Sequence, residues 1–346
     1  MKTHLLPEGN AYKADLHSHS CISDGRNTPE EMKAHYKSKG YRILALTDHE
    51  FLVDHSDLND PDFLMLTGYE FAFCESGEAA WRSGDVYLHD RTLELNLFAR
   101  DPHNVKQVCF DPRYIVHGQR WRIDTAERVE SPYERVYTIP CIQHLIDTAR
   151  AYGFIVSVNH PAYSMETPAF FGQLEGIFAM EIINQGSYYQ GDYNPGMYDE
   201  VLRMGRRWGC IATDDSHRAD VRDGDEADPR PWGFTMIHAA SLAYADVIRA
   251  LENGDYYASN GPRIEALYIE DGVVKLDCSA AKFVSMRTRF RHNRTEAADL
   301  HETLTHAEFP LPAEEPYMRF EVIDAYGRRA FTRAYFRGTD WGEAGN

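Results

Sequence analysis

Asp15-Leu16-His17-Ser18-His19 closes an apolar-polar run near the N-terminus, and Asp24, Thr47-Asp48-His49 and Asp215-Ser216-His217 repeat its vocabulary farther along. In an extended strand successive side chains face opposite sides, so His17 and His19 converge while Ser18 turns away. Two imidazoles on one side form a ligand pair for a cation. Imidazole with carboxylate suits zinc, iron or manganese, whereas calcium and magnesium take mostly oxygen. One His-x-His arises easily by chance among 16 histidines; its recurrence with aspartates carries the reading of a polynuclear transition-metal site.

Residues so scattered meet only if the fold gathers them. Thr28-Pro29-Glu30-Glu31 joins an N-cap threonine, a proline at the first helical position and a glutamate three after the cap, predicting a helix ended by Gly40. Ile43-Leu44-Ala45-Leu46 reads as a buried strand running into Thr47-Asp48-His49, which completes a β-α-β unit. The grammar recurs. A helix over 141–152 stopped by Gly153 precedes a strand over 154–158 that delivers Asn159-His160-Pro161. A strand over 178–184 and a helix over 199–208 closed by Gly209 precede a strand over 210–213, which leads to Asp214-Asp215-Ser216-His217. Parallel α/β barrels place functional groups at the C-terminal ends of their strands, so such residues would gather at one mouth.

Residues 100–137 are too long for an ordinary connection and read equally as a lid or a peripheral insertion. A last helix over 241–253 with Gly254 as C-cap precedes a change of character at Asn260-Gly261-Pro262. Beyond it, Asp271-Gly272 and Tyr326-Gly327 each separate strand-like runs, a tight-hairpin signal. The expected division is a barrel domain over 1–260 with its insertion, then a small all-β, sandwich-like domain over 261–346. Arg287, Arg289 and Arg291 would alternate along one strand face, solvated or touching phosphate.

A chain of 346 residues, 43% hydrophobic and 26% charged, folds throughout. Its net charge of −18 repels a phosphate backbone and disfavours a nucleic-acid polymer as partner, leaving small molecules. Six scattered cysteines without Cys-x-x-Cys read as buried thiols, and no apolar stretch suffices for a bilayer. These features fit a cytoplasmic enzyme with no membrane partner; oligomeric state is unreadable. Trp81, Trp121 and Trp232 fall in loop-like settings where they either fill clefts or stack on a sugar or base.

The series Asp15-Leu16-His17-Ser18-His19, Ser23-Asp24-Gly25, Thr47-Asp48-His49, Gly68-Tyr69-Glu70, Asn159-His160-Pro161 and Asp215-Ser216-His217 resembles the PHP (polymerase and histidinol phosphatase) superfamily in order and spacing. The region after Ser259-Asn260-Gly261-Pro262 resembles its CehA/McbA-like branch. The resemblance implies an α/β fold with a distorted (β/α)7 barrel and a small C-terminal all-β domain, and two or three divalent zinc, manganese or iron ions. Carried across, His17, His19, Glu70 and Asp215 would hold the first ion, and Glu70 would bridge to a second with His160. Asp24, His49 and His217 would hold the third. Where many relatives place a histidine before Leu-Asn-hydrophobic-Phe, this chain has Glu94, so Glu94, His89 or His103 completes the second site or the centre is dinuclear.

The implied activity is phosphoester hydrolysis of a small molecule by a metal-bridging hydroxide. Glu70, Asp215 and His217 then take part in catalysis, and Arg26 and Arg218 are candidates for phosphate contact. Hydrolysis of a carboxylic ester, carbamate or amide is the alternative, and a noncatalytic metal-stabilised binding module a third. Asp48 is expected to orient a ligand histidine through its ring N–H, as Asp214 would. Glu181 and Asn184 either line the pocket or pack as buried polar groups. His4, His35, His55, His117 and His144 read as structural or surface groups.

Overall fold

Thr28 Oγ1 accepts a hydrogen bond from Glu31 N, and the Glu31 carboxylate accepts one from Thr28 N, so α1 (Pro29–Ser38) opens with the expected capping box. The protein is seen in a computed structural model, which describes residues 2–77, 91–115, 118–186, 193–219 and 233–342. Its strands begin with β1 (Lys2–His4), β2 (Ala11–Ser18), β3 (Ile43–Leu46), β4 (Leu64–Cys74) and β5 (Thr92–Ala99). A short parallel pair, β6 (Lys106–Val108) and β7 (Glu127–Val129), follows. Then come α2 (Ile139–Ala151), β8 (Phe154–Val158), α3 (Pro168–Phe171), β9 (Ile177–Asn184), α4 (Pro195–Arg203), β10 (Gly209–Thr213), β11 (Phe234–His238), α5 (Tyr244–Asn253) and β12 (Tyr256–Ser259). The helix expected over 199–208 begins earlier, at Pro195, and ends before Gly205.

One sheet runs in the order β10-β9-β8-β5-β4-β3-β2-β11-β12 and continues into the C-terminal region. β2, β3 and β4 are mutually parallel, as are β8, β9 and β10. The expected parallel arrangement is corrected at β5, antiparallel to both β4 and β8, and at β11, antiparallel to both β2 and β12. The sheet curls until its β10 edge reaches the end of β2: Asp215 N donates to His17 O and His19 N to Ser216 O, both at 2.9 Å.

Alternation along these strands sorts one face into two layers. Leu64 and Leu66 share a face of β4 with Glu70, Ile155 shares one with Asn159, and Ala179 with Glu181. Ile211 precedes Thr213 and Asp215 in the same way. Because β5 runs backwards its order is reversed, Glu94 and Asn96 coming before Phe98. The apolar members pack with Val247, Ile248 and Leu251 of α5, leaving the polar members at the other end. The opposite face carries Tyr69, Phe71, Leu95, Leu97 and Val156 into a second core with α2 and α4.

Beyond α5, whose C-cap Gly254 is left-handed at φ 75°, the chain is all strand. β13 (Ile264–Glu270) and β14 (Val273–Ala281) form the expected hairpin, with Asp271 and Gly272 both at positive φ. β15 (Phe283–Thr288), β16 (Arg294–Ala297), β17 (Leu304–Pro310), β18 (Tyr317–Ile323), β19 (Arg329–Thr332) and β20 (Tyr335–Phe336) complete it. A second sheet of order β1-β13-β14-β17 shares a core with β15, β18 and β19 through Leu276, Phe309, Val284, Met286, Phe320 and Val322. The arginine alternation is corrected: β15 stops at Thr288, so Arg289 and Arg291 leave the strand, while Arg287 faces Glu321 at 3.5 Å.

The 100–137 segment is pinned at two places. Gly118, at φ 88°, passes so close to the loop after β2 that a Cβ there would lie 2.2 Å from Ile22 O, and Gln119 N donates to that oxygen. Near its end, Arg135 forks onto the Glu50 carboxylate (2.6 Å to Oε1), donates to Ala72 O and stacks 3.7 Å over Phe71. Both charges are almost fully buried. Arg135→Ala therefore leaves Glu50 uncompensated and is expected to cost about 3–5 kcal/mol in urea unfolding, whereas joint replacement by Glu50→Gln and Arg135→Met costs less. Equal losses for the two variants would contradict this account of the anchor.

Candidate metal centre

The sequence scatters its candidate ligands over two hundred residues; the curled sheet brings nine of them together. His17 and His19, at the end of β2, place their Nε2 atoms 3.2 Å apart. Glu70, on β4, sits between histidines: Oε1 lies 3.3 Å from His17 Nε2 and 3.5 Å from His160 Nε2, and Oε2 lies 3.4 Å from His19 Nε2 and 3.0 Å from His49 Nδ1. Asp215, just past β10, faces His17 and His19 with Oδ1 at 3.4 and 3.1 Å. Its φ of 49° is a left-handed conformation unusual for aspartate, held by the two backbone bonds that close the sheet.

Glu94 reaches the centre, its Oε2 3.5 Å from His160 Nε2, and it groups with His49 and Glu70. His103 does not: it is exposed and bound to Asp54 at 2.8 Å. His89 lies outside the described residues, as do Trp81, Trp232 and His117. A more open group joins Asp24, His49 and His217 to His19, with Asp24 Oδ2 3.7 Å from His49 Nε2 and 3.4 Å from His217 Nε2. Arg26 and Arg218 are exposed at the rim; Arg26 N donates to His217 O, and among the described residues neither guanidinium contacts the cluster. Trp121 is exposed on the 100–137 segment.

The buried support around these groups decides which ring nitrogens point inward. Glu181 takes four hydrogen bonds, from His17 Nδ1 (2.8 Å), Thr213 Oγ1 (2.7 Å), His160 N (2.8 Å) and Asn184 Nδ2 (2.9 Å). With Nδ1–H committed to a carboxylate, His17 turns the Nε2 lone pair to the centre. Ser164 Oγ does the same for His160 Nδ1 at 3.0 Å, and Asn159 Nδ2 donates to Glu70 Oε1 at 2.6 Å. Asp48 departs from its expected role. It accepts from the backbone N and hydroxyl of both Ser20 and Ser23, so it shapes the loop carrying Asp24 rather than holding an imidazole. Asp214 likewise turns away, to Tyr36 and Asp15.

This donor set fits cations. Glu70 Oε2 and Asp215 Oδ1 are buried without a hydrogen-bond partner, and inward lone pairs with orphaned anionic oxygens are what divalent transition metals take. The protons show the same demand. Burial opposes the imidazolium of His17, yet Asp215, Glu70 and Glu181 outweigh it and raise its pKa. Against burial, the surrounding carboxylates hold His160 up to about 10, and Asp24 and Asp215 hold His217 up to about 9. Burial and the neighbouring His217 and His49 keep His19 below its ordinary value. Burial and the charge of Glu70 push Glu94 up to about 7.

Sequence reasoning left the grip of Glu181 undecided and missed the parts of Ser164 and the Glu50–Arg135 pair. Glu181 was legible only as an acid inside an apolar strand; Ser164 had a signal in its place four residues after His160.

No family model matches the chain, and no curated protein matches it. Among solved structures it is similar to a two-domain protein from Bacteroides vulgatus ATCC 8482 containing a predicted PHP-like metal-dependent phosphoesterase, with 15% identity, 97% of this chain and 98% of that one covered, and a TM-score of 0.49. It is similar to a candidate metal-dependent phosphoesterase from Bifidobacterium adolescentis ATCC 15703 (16% identity, 63% and 92% covered, TM-score 0.37). It is also similar to PsfC from Pseudomonas syringae PB-5123 (12%, 67% and 83%, TM-score 0.34).

Two outcomes test the centre. Glu181→Ala frees the His17 ring and is expected to weaken metal binding about 10–100-fold in a chelator competition, with the circular dichroism spectrum retained. Metal uptake must also displace protons from imidazoles whose pKa values are raised, so loading releases acid and apparent affinity falls as pH falls. Without metal the sign reverses. Raised histidines stabilise the fold fully below about 6.5, and that contribution is lost as pH climbs through about 9 and 10. Melting temperatures of stripped and loaded protein across this range should diverge; parallel curves would refute the assignment.

Proposed function

We propose that this chain is a metal-dependent phosphoesterase of the PHP superfamily that hydrolyses a small phosphorylated molecule, with its curled sheet as the distorted barrel. The observation that supports it most is Glu70, whose two carboxylate oxygens face different histidine sets from a fully buried position. In this reading His17, His19, Glu70 and Asp215 hold one ion, Glu70 with His160 and Glu94 a second, and Asp24, His49 and His217 a third. Such ions, when bound, supply an activated water near neutral pH and neutralise charge on a phosphoryl group.

The chain's own residues set the direction of approach. His17, His19 and Glu70 are inaccessible, while the side chains of Asp24 and His217 are 26% and 37% exposed, so substrate meets the third group first. Glu181, Asn159 and Ser164 keep the inner donors oriented, and Asp48 holds the Asp24 loop. In the same proposal Arg26 and Arg218, exposed beside His217, supply guanidinium groups for the phosphate. The division near residue 260, the CehA/McbA-like character of the C-terminal part and a cytoplasmic setting belong to the same proposal. No described helix is long and apolar enough to cross a membrane.

Protein purified without chelators should carry transition metal and turn over nitrophenyl phosphate or bis-nitrophenyl phosphate. Asp215→Asn and His19→Ala are expected to lose more than about 100-fold in kcat/KM, beyond the range seen for supporting residues alone. Full turnover after metal loss would overturn the reading. Turnover confined to a nitrophenyl carboxylic ester would move the activity to acyl hydrolysis.

A further inference from the structure

At the far end of the strands from the metal centre lies a cavity of about 380 Å³. Ile155, Ile177 and Gly209, at the beginnings of β8, β9 and β10, form part of its wall, and so does Arg100, one residue beyond the reversed β5. Asp215, just past β10, lies six positions beyond Gly209, about 20 Å of extended chain. The two sites share no residue.

Four arginines line this cavity in a chain of net charge −18: Arg100, Arg150, Arg207 and Arg333. Two have acidic partners. Arg100 bonds Glu252 at 2.7 Å, and Arg333 bonds Asp340 at 2.7 Å while its Nε caps the carbonyl of Gly254. The other two have none among the described residues. Arg207 donates only to the Thr339 hydroxyl and lies over the Phe336 ring, and Arg150 is exposed in the last turn of α2. Two positive charges therefore remain over.

The wall is shaped around these groups. A Cβ on Gly176 would come within 2.6 Å of Arg150 Cδ, and one on Gly254 within 2.5 Å of Arg333 Cδ. A Cβ on Gly209 would meet the Tyr256 hydroxyl at 2.0 Å. That hydroxyl, on a side chain only 1% exposed, has no hydrogen-bond partner. A buried donor left unsatisfied costs about 1–3 kcal/mol unless something fills its place.

We propose that this cavity binds the dianionic phosphate of a small organic phosphate, gripped by Arg150 and Arg207, as a second ligand site independent of the metal centre. Guanidinium forks match phosphate oxygens, and two unpaired cations balance a dianion. The volume lies in the range of small-molecule sites, and Phe178, Tyr256 and Phe336 offer apolar surface to an organic group.

The test is calorimetric titration of the metal-loaded protein with phenylphosphonate, a dianion with no ester bond to hydrolyse, and with inorganic phosphate in parallel. Wild type should take up phenylphosphonate at the cavity, and the double variant Arg150→Gln, Arg207→Gln should bind there about 10-fold or more weakly, with metal content and ester turnover unchanged. In Asp215→Asn the cavity event should persist and vanish only when the arginines are also replaced, so a failed metal centre and a failed cavity give different results. Tighter binding of phenylphosphonate than of inorganic phosphate identifies the organic ester as the ligand class. Identical titrations for wild type and the arginine double variant would overturn the proposal.

Discussion

The inner part of the candidate metal centre is held by one buried carboxylate that would itself touch no metal. Glu181 sits in the interior and accepts from residues of β2, β9 and β10 and from the backbone just past β8. A charge there is tolerable only because four donors meet it. The same bonds that solvate Glu181 fix the ring of His17 and the backbone of His160, so the cost of burying one anion becomes the orientation of two ligands. Removing it would free the His17 ring and leave the His160 backbone N–H, the Thr213 hydroxyl and the Asn184 amide without their acceptor.

The sequence was most informative where local chemistry and tertiary placement coincide. The capping box at Thr28, the Asp271-Gly272 turn and the strand over Ile43–Leu46 were legible because each is decided by residues next to one another. The ligand motifs were legible because they follow strands, and strand ends are where a parallel sheet exposes backbone-anchored side chains. The reversal of β5 was not: direction within a sheet is set by which neighbours accept the strand's hydrogen bonds, and Leu93, Leu95 and Leu97 would bury equally well either way up. The grip of Asp48 on Ser20 and Ser23 was hidden too, since a carboxylate beside a histidine in sequence faces away from it in an extended chain.

The fate of Glu94 joins these two kinds of information. Its position predicted a place in the cluster, and the reversed strand delivers it there: running opposite to β4 and β8, β5 presents its first polar residues, not its last, at the metal end. Glu94 offers oxygen, a harder donor than the imidazole of His160 beside it. The 100–137 segment, far from being a loose appendage, bears on the loop holding Asp24 and on the strand end holding His49. It ties the open side of the cluster to the hydrophobic core.

The strand β1 ties together parts of the chain that lie far apart in sequence. Lys2, Thr3 and His4 pair antiparallel with Glu270, Ile269 and Tyr268, and Leu5 and Leu6 donate to Leu267 O and enter the core of the C-terminal sheets. The backbone of β1 is thus satisfied only once a hairpin some 260 positions farther along the chain has formed. β1 works as a clasp between two distant parts of the chain, and β2 with its histidine pair begins at Ala11, five positions after Leu6.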